Sequence, residues 1–147
     1  MKHRVISLLL AVMIFGSLVL SVAAAAVPGA DVMPCYNNTL STSTNFTIST
    51  TGNAAISAVY NAYPSVFTTA TVTSYIEKRT LGMFWTRVDI GEPNNEWVDD
   101  SFDYTDVIIH EHQLDSKGTY RATVVYEIYG TGGAADVIDY EQERTYS

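Results

Sequence analysis

Two hydrophobic patterns divide the chain. From Val5 to Val22 apolar residues predominate with no polar face, whereas from Asn45 onward apolar and polar residues alternate in short runs separated by Gly, Pro, Asn and Asp. Continuous apolarity suits a segment that enters a bilayer, and a period of two suits strands with one buried face. Asn45 to Thr50 carries Phe46 and Ile48 on one face, Thr51-Gly52-Asn53 turns, and Ala54 to Asn61 returns with Ile56 and Tyr60 alternating with polar or small residues. Tyr63-Pro64-Ser65 interrupts the pattern. Ala70 to Arg79 then sets Val72 and Ile76 against Thr71, Thr73, Tyr75 and Glu77, as a half-buried strand does.

Register can be read for two further pairs. Matching Phe84 with Phe102 also matches Val88 with Val98 and brings Arg87 opposite Asp99, which predicts a hairpin closed around Gly91-Glu92-Pro93-Asn94-Asn95. Asp100 is the misfit, since it falls on the apolar face. Val107 to Leu114 is a further strand. Thr119 to Tyr129 shows the clearest alternation, and Gly130-Thr131-Gly132-Gly133 turns it back. Pairing Tyr126 with Ile138 and Val124 with Tyr140 sets Arg121 against Glu143, so an apolar face and an ion pair agree on one register.

Short strands and no helical period predict an all-β fold, an antiparallel immunoglobulin-like β-sandwich of about seven to eight strands preceded by an N-terminal signal helix. The stretch Leu114-Asp115-Ser116-Lys117-Gly118-Thr119-Tyr120-Arg121-Ala122 resembles the tyrosine corner of immunoglobulin-like and fibronectin-like sandwiches. That resemblance implies that the Tyr120 hydroxyl bonds to upstream backbone; Ala122 stands where antibody domains carry cysteine, so their disulfide is absent. The basic and apolar opening of the chain, the Thr-rich first strand, Leu81 to Trp85 followed by Val88 and Trp97, and the Gly118-x-Tyr120-Arg121 strand are together similar to a family of small secreted proteins of unknown function from Gram-positive bacteria. The resemblance implies location and fold and brings no catalytic residue.

Lys2, His3 and Arg4 before the apolar run, and Ala23 to Ala26 after it, give residues 1–26 the form of a secretory signal peptide cleaved after Ala24 or Ala26. The alternative is an uncleaved anchor from Val5 to Val27. Residues 27–43, rich in Pro, Asn, Ser and Thr, read as a flexible lead-in, and residues 44–147 as the sandwich domain. Beyond the signal, six Lys and Arg stand against sixteen Asp and Glu, a net charge of −10. Such a chain repels phosphate backbones and anionic lipid, so neither nucleic acid nor, after signal cleavage, a membrane is an expected partner. Cys35 is the only cysteine, which removes any intramolecular disulfide and leaves a free thiol or an intermolecular bridge. Val32, Met33 and Pro34 before it do not form a lipidation signal.

Four groups of residues bear on chemistry. His110 and His112, two apart on a strand, share a face with Cα atoms roughly 6.6 Å apart, a spacing two zinc ligands can use; no third ligand is visible and the zinc-protease pattern is absent. Asp89, Glu92, Glu96, Asp99, Asp100, Asp103 and Asp106 give an oxygen density that suits calcium, or simply a solvated acidic flank. In the predicted hairpin, Trp85, Arg87, Asp89 and Trp97 share the face away from the apolar pairs, where two indoles beside polar groups suit a sugar ring or a protein partner. The chain has no Gly-x-Ser-x-Gly elbow, and Gly130 to Gly133 lie between strands as a turn, not a phosphate cradle.

These readings assign no catalytic residue and no cofactor. The expected function is a secreted, non-enzymatic binding or structural module whose partner is an extracellular protein or glycan. The alternatives are a small secreted effector or antagonist of other cells and a metal-dependent hydrolase using His110 and His112.

Overall fold

The computed structural model describes residues 36–147; the signal segment, Cys35 and the start of the lead-in lie outside the described residues. Eight strands are found there: β1 (Thr39–Ile48), β2 (Asn53–Ala62), β3 (Phe67–Thr80), β4 (Phe84–Arg87), β5 (Trp97–Ser101), β6 (Thr105–Gln113), β7 (Gly118–Gly130) and β8 (Asp136–Tyr146). Among the described residues no helix is long and apolar enough to cross a membrane.

The strands form two antiparallel sheets. The first has the order β1-β2-β6, and the second the order β4-β3-β7-β8 with β5 also paired to β3. Alternation decides what each sheet buries: in β2 every second residue from Ala54 to Ala62 is buried, and in β7 so are Tyr120, Ala122, Val124, Tyr126 and Ile128. Phe46, Ile56 and Tyr60 from the first sheet and Val72, Ile76, Val124 and Tyr126 from the second belong to one core. Removing these side chains from water supplies the main force that holds the two sheets together, roughly 1.5–3 kcal/mol for each large one.

Side chains close the flank between β1 and β8. Phe46 N–H donates to Gln142 Oε1 at 2.9 Å while Gln142 Nε2 donates to the Thr44 carbonyl at 2.9 Å, so one amide group substitutes for a neighbouring strand along the β1 edge. The Tyr126 hydroxyl donates to the Ser43 carbonyl at 2.9 Å. At the start of β1 the buried Asp136 carboxylate accepts from the backbone N–H of Asn38 (2.8 Å), Thr39 (2.9 Å) and Asn37 (3.1 Å) and from the Thr39 hydroxyl (2.9 Å). Gly130 and Gly132 admit this clamp, since a Cβ at either would lie 2.5 Å or 3.0 Å from Asn38 Oδ1. Close approach of the N-terminal segment, as well as turning, therefore requires glycine here.

The β7–β8 register agrees with the sequence expectation, with Tyr126 opposite Ile138 and Val124 opposite Tyr140. Two expectations need correction. β1 begins at Thr39, so Thr39 to Ser43 are strand and not lead-in; pairing with β2 and the Asp136 clamp hold these Ser and Thr residues, which carry no apolar alternation. β4 and β5 do not form a hairpin. β4 pairs with Glu77 to Thr80 and β5 with Ala70 to Ser74, end to end along the β3 edge away from β7. Both run antiparallel to β3 and hence in the same direction as each other, which rules out an antiparallel hairpin between them. Asp100 then loses its misfit: it lies on the outer face and accepts from the Thr71 hydroxyl at 2.6 Å.

Candidate functional site

His110 sits on β6 at the flank where β5 meets the first sheet. The Trp97 indole stacks on its imidazole with ring centroids 4.8 Å apart and planes 3° from parallel. His110 Nε2 lies 2.7 Å from Asp99 Oδ2; a carboxylate accepts, so this nitrogen carries the hydrogen and donates. His112 shares the half-buried face of β6, as its spacing requires. The flank is thus strapped by an indole, an imidazole and a carboxylate, and among the described residues no three His, Cys, Asp or Glu converge on one point.

Trp85 and Arg87 project from β4 on the outer face of the second sheet, whereas Trp97 lies opposite the buried Ser74 on the inner side. The two tryptophans expected together are therefore separated, a direct consequence of the absent hairpin. Arg87 stacks over Tyr75 with its guanidinium carbon 3.8 Å from the ring centroid, and it bridges Glu96, not Asp99. Arg121 donates to Glu77 Oε2 (2.6 Å) and Glu141 Oε2 (3.1 Å) and lies 4.6 Å from the Trp85 centroid, with Arg79 at 5.5 Å. Glu143 is the backbone neighbour of Arg121 as expected, but the long side chain reaches Glu77 and Glu141 instead. Burial alone would lower the Arg87 and Arg121 pKa values; the carboxylates of Glu96 and Glu77 hold them above the ordinary value. This is a closed ladder of guanidinium, ring and carboxylate groups, and a sugar stacking on Trp85 would have to displace an arginine.

The acidic residues disperse in the same way. Asp106 accepts from the Ser101 hydroxyl at 2.8 Å, Asp89 from the Gly91 N–H at 3.0 Å, Glu96 takes Arg87 and Asp99 takes His110. Glu92 and Asp103 make no such side-chain bond among the described residues, and the partners of the others lie on different faces and loops.

At the end of the molecule where β3 finishes, a cleft of about 200 Å³ lies among Lys78, Thr86, Val88, Leu114, Ser116 and Tyr120. The Tyr120 hydroxyl donates to the Ser116 carbonyl, the bond the corner resemblance implies, and Lys78 Nζ lies over the same ring at 5.6 Å. Beyond the cleft projects the β3–β4 turn, closed by Met83 N–H donating to the Thr80 carbonyl at 3.2 Å. Leu81 is 87% exposed, Met83 73% and Phe84 59%. The sequence pattern placed Phe84 on an apolar face opposite Phe102, but both are exposed, and Leu81 and Met83 entered it only as part of the Leu81 to Trp85 resemblance. The available cue was three large apolar residues around Gly82, where a turn ordinarily carries Asn, Asp, Ser or Pro.

No family model, curated protein or solved structure matches the chain.

Proposed function

We infer that the chain is an extracellular, non-enzymatic binding or structural module, built as an immunoglobulin-like sandwich and acting through its surface. One observation carries this reading: the core is closed, yet Leu81, Met83 and Phe84 near one end and Phe102 and Tyr104 near the other remain exposed. Clusters of large apolar groups in water mark contact surfaces.

The immunoglobulin-like assignment draws support from the strand order. Lettered along the chain with β4 as C′, β1-β2-β6 corresponds to A-B-E and β4-β3-β7-β8 to C′-C-F-G. Tyr120 then begins strand F, where the corner belongs. β5 departs from the antibody pattern by lying along β3 and not beside β6. Export is supported by the basic, apolar and alanine-rich succession of residues 1–26.

The test is expression of the full chain in a secreting host, followed by binding of the recovered protein to intact cell envelopes. Saturable retention that weakens on substituting the exposed residues at either end is expected. Recovery only from the cytoplasm, or retention indifferent to those substitutions, overturns the reading.

A further inference from the structure

The sheet edges are not protected alike. Along β1 the Gln142 amide occupies backbone groups, β8 carries Asp139, Glu141, Glu143 and Arg144, and β4 and β5 have only four and five residues. Cover, charge and shortness are devices that keep an edge from taking up another strand. The middle of β6 has none of them. This strand runs nine residues in unbroken register with β2 and contains no Pro, Lys or Arg. Its charge stands to either side of the centre, on Asp106 and Glu111, while Val107 (57% exposed) and Ile109 (61% exposed) lie on the outer face. Val59 of β2 is directly opposite Val107, so an apolar patch reaches the edge itself.

Which backbone groups β6 leaves open follows from its pairing. Leu114 N–H donates to the Gly52 carbonyl at 2.9 Å, and Ala62 N–H to the Tyr104 carbonyl at 2.7 Å. Both bonds join residues that face each other, and such bonded pairs alternate along an antiparallel ladder. The even-numbered residues of β6 therefore turn their N–H and C=O groups toward β2, and Thr105, Val107, Ile109 and Glu111 turn theirs away. Among the described residues one of these outward donors has an acceptor: Val107 N–H donates to Asp106 Oδ1 at 2.8 Å.

We propose that this edge pairs antiparallel with β6 of a second copy of the chain, about a two-fold axis that passes through Ile108 perpendicular to the sheet, joining two three-stranded sheets into one of six strands. The interface goes beyond the surface-binding reading and does not depend on it. A second copy is the occupant because β6 is complementary to its own reverse. With Ile108 opposite itself, Val107 faces Ile109 on both sides of the axis, Asp106 faces His110, and Glu111 faces Thr105, so apolar meets apolar and no like charges meet. The outward N–H and C=O groups of Val107 and Ile109 then bond each other across the seam, and the two Val59 side chains flank the four apolar groups there. Moving the axis to Ile109 sets Val107 against Glu111, and moving it to Val107 sets Ile109 against Thr105. Each shift loses the apolar match, which fixes the register.

Backbone hydrogen exchange of the full chain, followed as its concentration is raised from micromolar to millimolar, tests the pairing. Exchange at Ile109 and Glu111 is expected to slow at least about fivefold, as at amides that gain a bond, while Ile108 and His110, already bonded to β2, keep their rates. Ile109→Lys, a change at an exposed position, is expected to keep the Tm and to lose the concentration dependence. Cross-linking then reads the register. Val107→Cys and Ile109→Cys chains, each also carrying Cys35→Ser, are oxidised separately and as a mixture. Facing residues lie about 5.5 Å apart at Cα, within disulfide reach, whereas identical residues of the two copies lie about 7–8 Å apart. Linked dimer is expected from the mixture and not from either variant alone, which also separates this pairing from any association through residues 1–35. Concentration-independent exchange at Ile109, a concentration dependence that survives Ile109→Lys, or links that form equally in the unmixed variants overturns the proposal. Slow exchange at Ile109 at every concentration overturns it too, by showing the edge covered within one chain.

Discussion

Asp136 shows how one residue can organise a fold without being visible in the sequence pattern. Its partners lie almost a hundred positions earlier, at Asn37, Asn38 and Thr39, and no local period connects them. Burial alone would push its carboxyl up; the backbone N–H groups of Asn38, Asn37 and Thr39 and the Thr39 hydroxyl outweigh this and hold it below the usual carboxylate range. Because the folded pKa lies below the unfolded one, the charge stabilises the fold above about pH 4, and that contribution disappears as pH falls through the depressed value. Asp136→Asn is therefore expected to cost roughly 2 kcal/mol at pH 7, a fall in Tm of about 10 °C, and much less at pH 2. Thermal melts of both proteins at the two pH values check this, and an equal deficit at both would contradict it. Tyr120, by contrast, was legible, because its corner partner Ser116 lies only four residues upstream.

For the strands, legibility followed locality. The Thr51-Gly52-Asn53 turn made β1 and β2 legible as neighbours, and for β7 with β8 a short turn and one apolar face also fixed the register. β4 and β5 could not be placed in this way, since their partner is the long β3 and their matching apolar positions reflect that common neighbour. The same error placed Trp97 beside Trp85 and hid the Trp97–His110–Asp99 strap. Nuclear Overhauser contacts are expected between backbone protons of Val72 and Asp99, and none between Phe84 and Phe102; the reverse pattern would restore the hairpin. Gln142 belongs to this scale too, because its amide completes the β1 edge. Gln142→Ala is expected to speed hydrogen exchange at the Phe46 amide at least about fivefold, the loss of a bond worth about 1 kcal/mol, while the amides of β2 keep their protection.

Across the whole molecule, composition established a net charge but not its distribution. Five cations scattered between Lys78 and Arg144 in sequence gather into neighbouring rows only after β3, β4, β7 and β8 are laid side by side, with Lys117 in the loop before β7. Glu77, Glu96, Glu141, Glu143, Asp89 and Asp115 balance them there, whereas Asp99, Asp100, Glu127, Asp136 and Asp139 toward the other end have no Lys or Arg beside them among the described residues. The turn itself was readable as Leu-Gly-Met-Phe, but whether it served a core depended on how far the first sheet extends over it. The structure leaves Leu81 exposed and in a left-handed conformation. The central claim is that this surplus of exposed apolar groups serves contact and not folding, and the melting temperature of Leu81→Asn tests it most directly. Asn accepts the positive φ and forfeits no burial, so Tm is expected to hold or to rise by a few degrees, in keeping with relief of about 1 kcal/mol of backbone strain. A fall of several degrees would place Leu81 within the fold and contradict the claim.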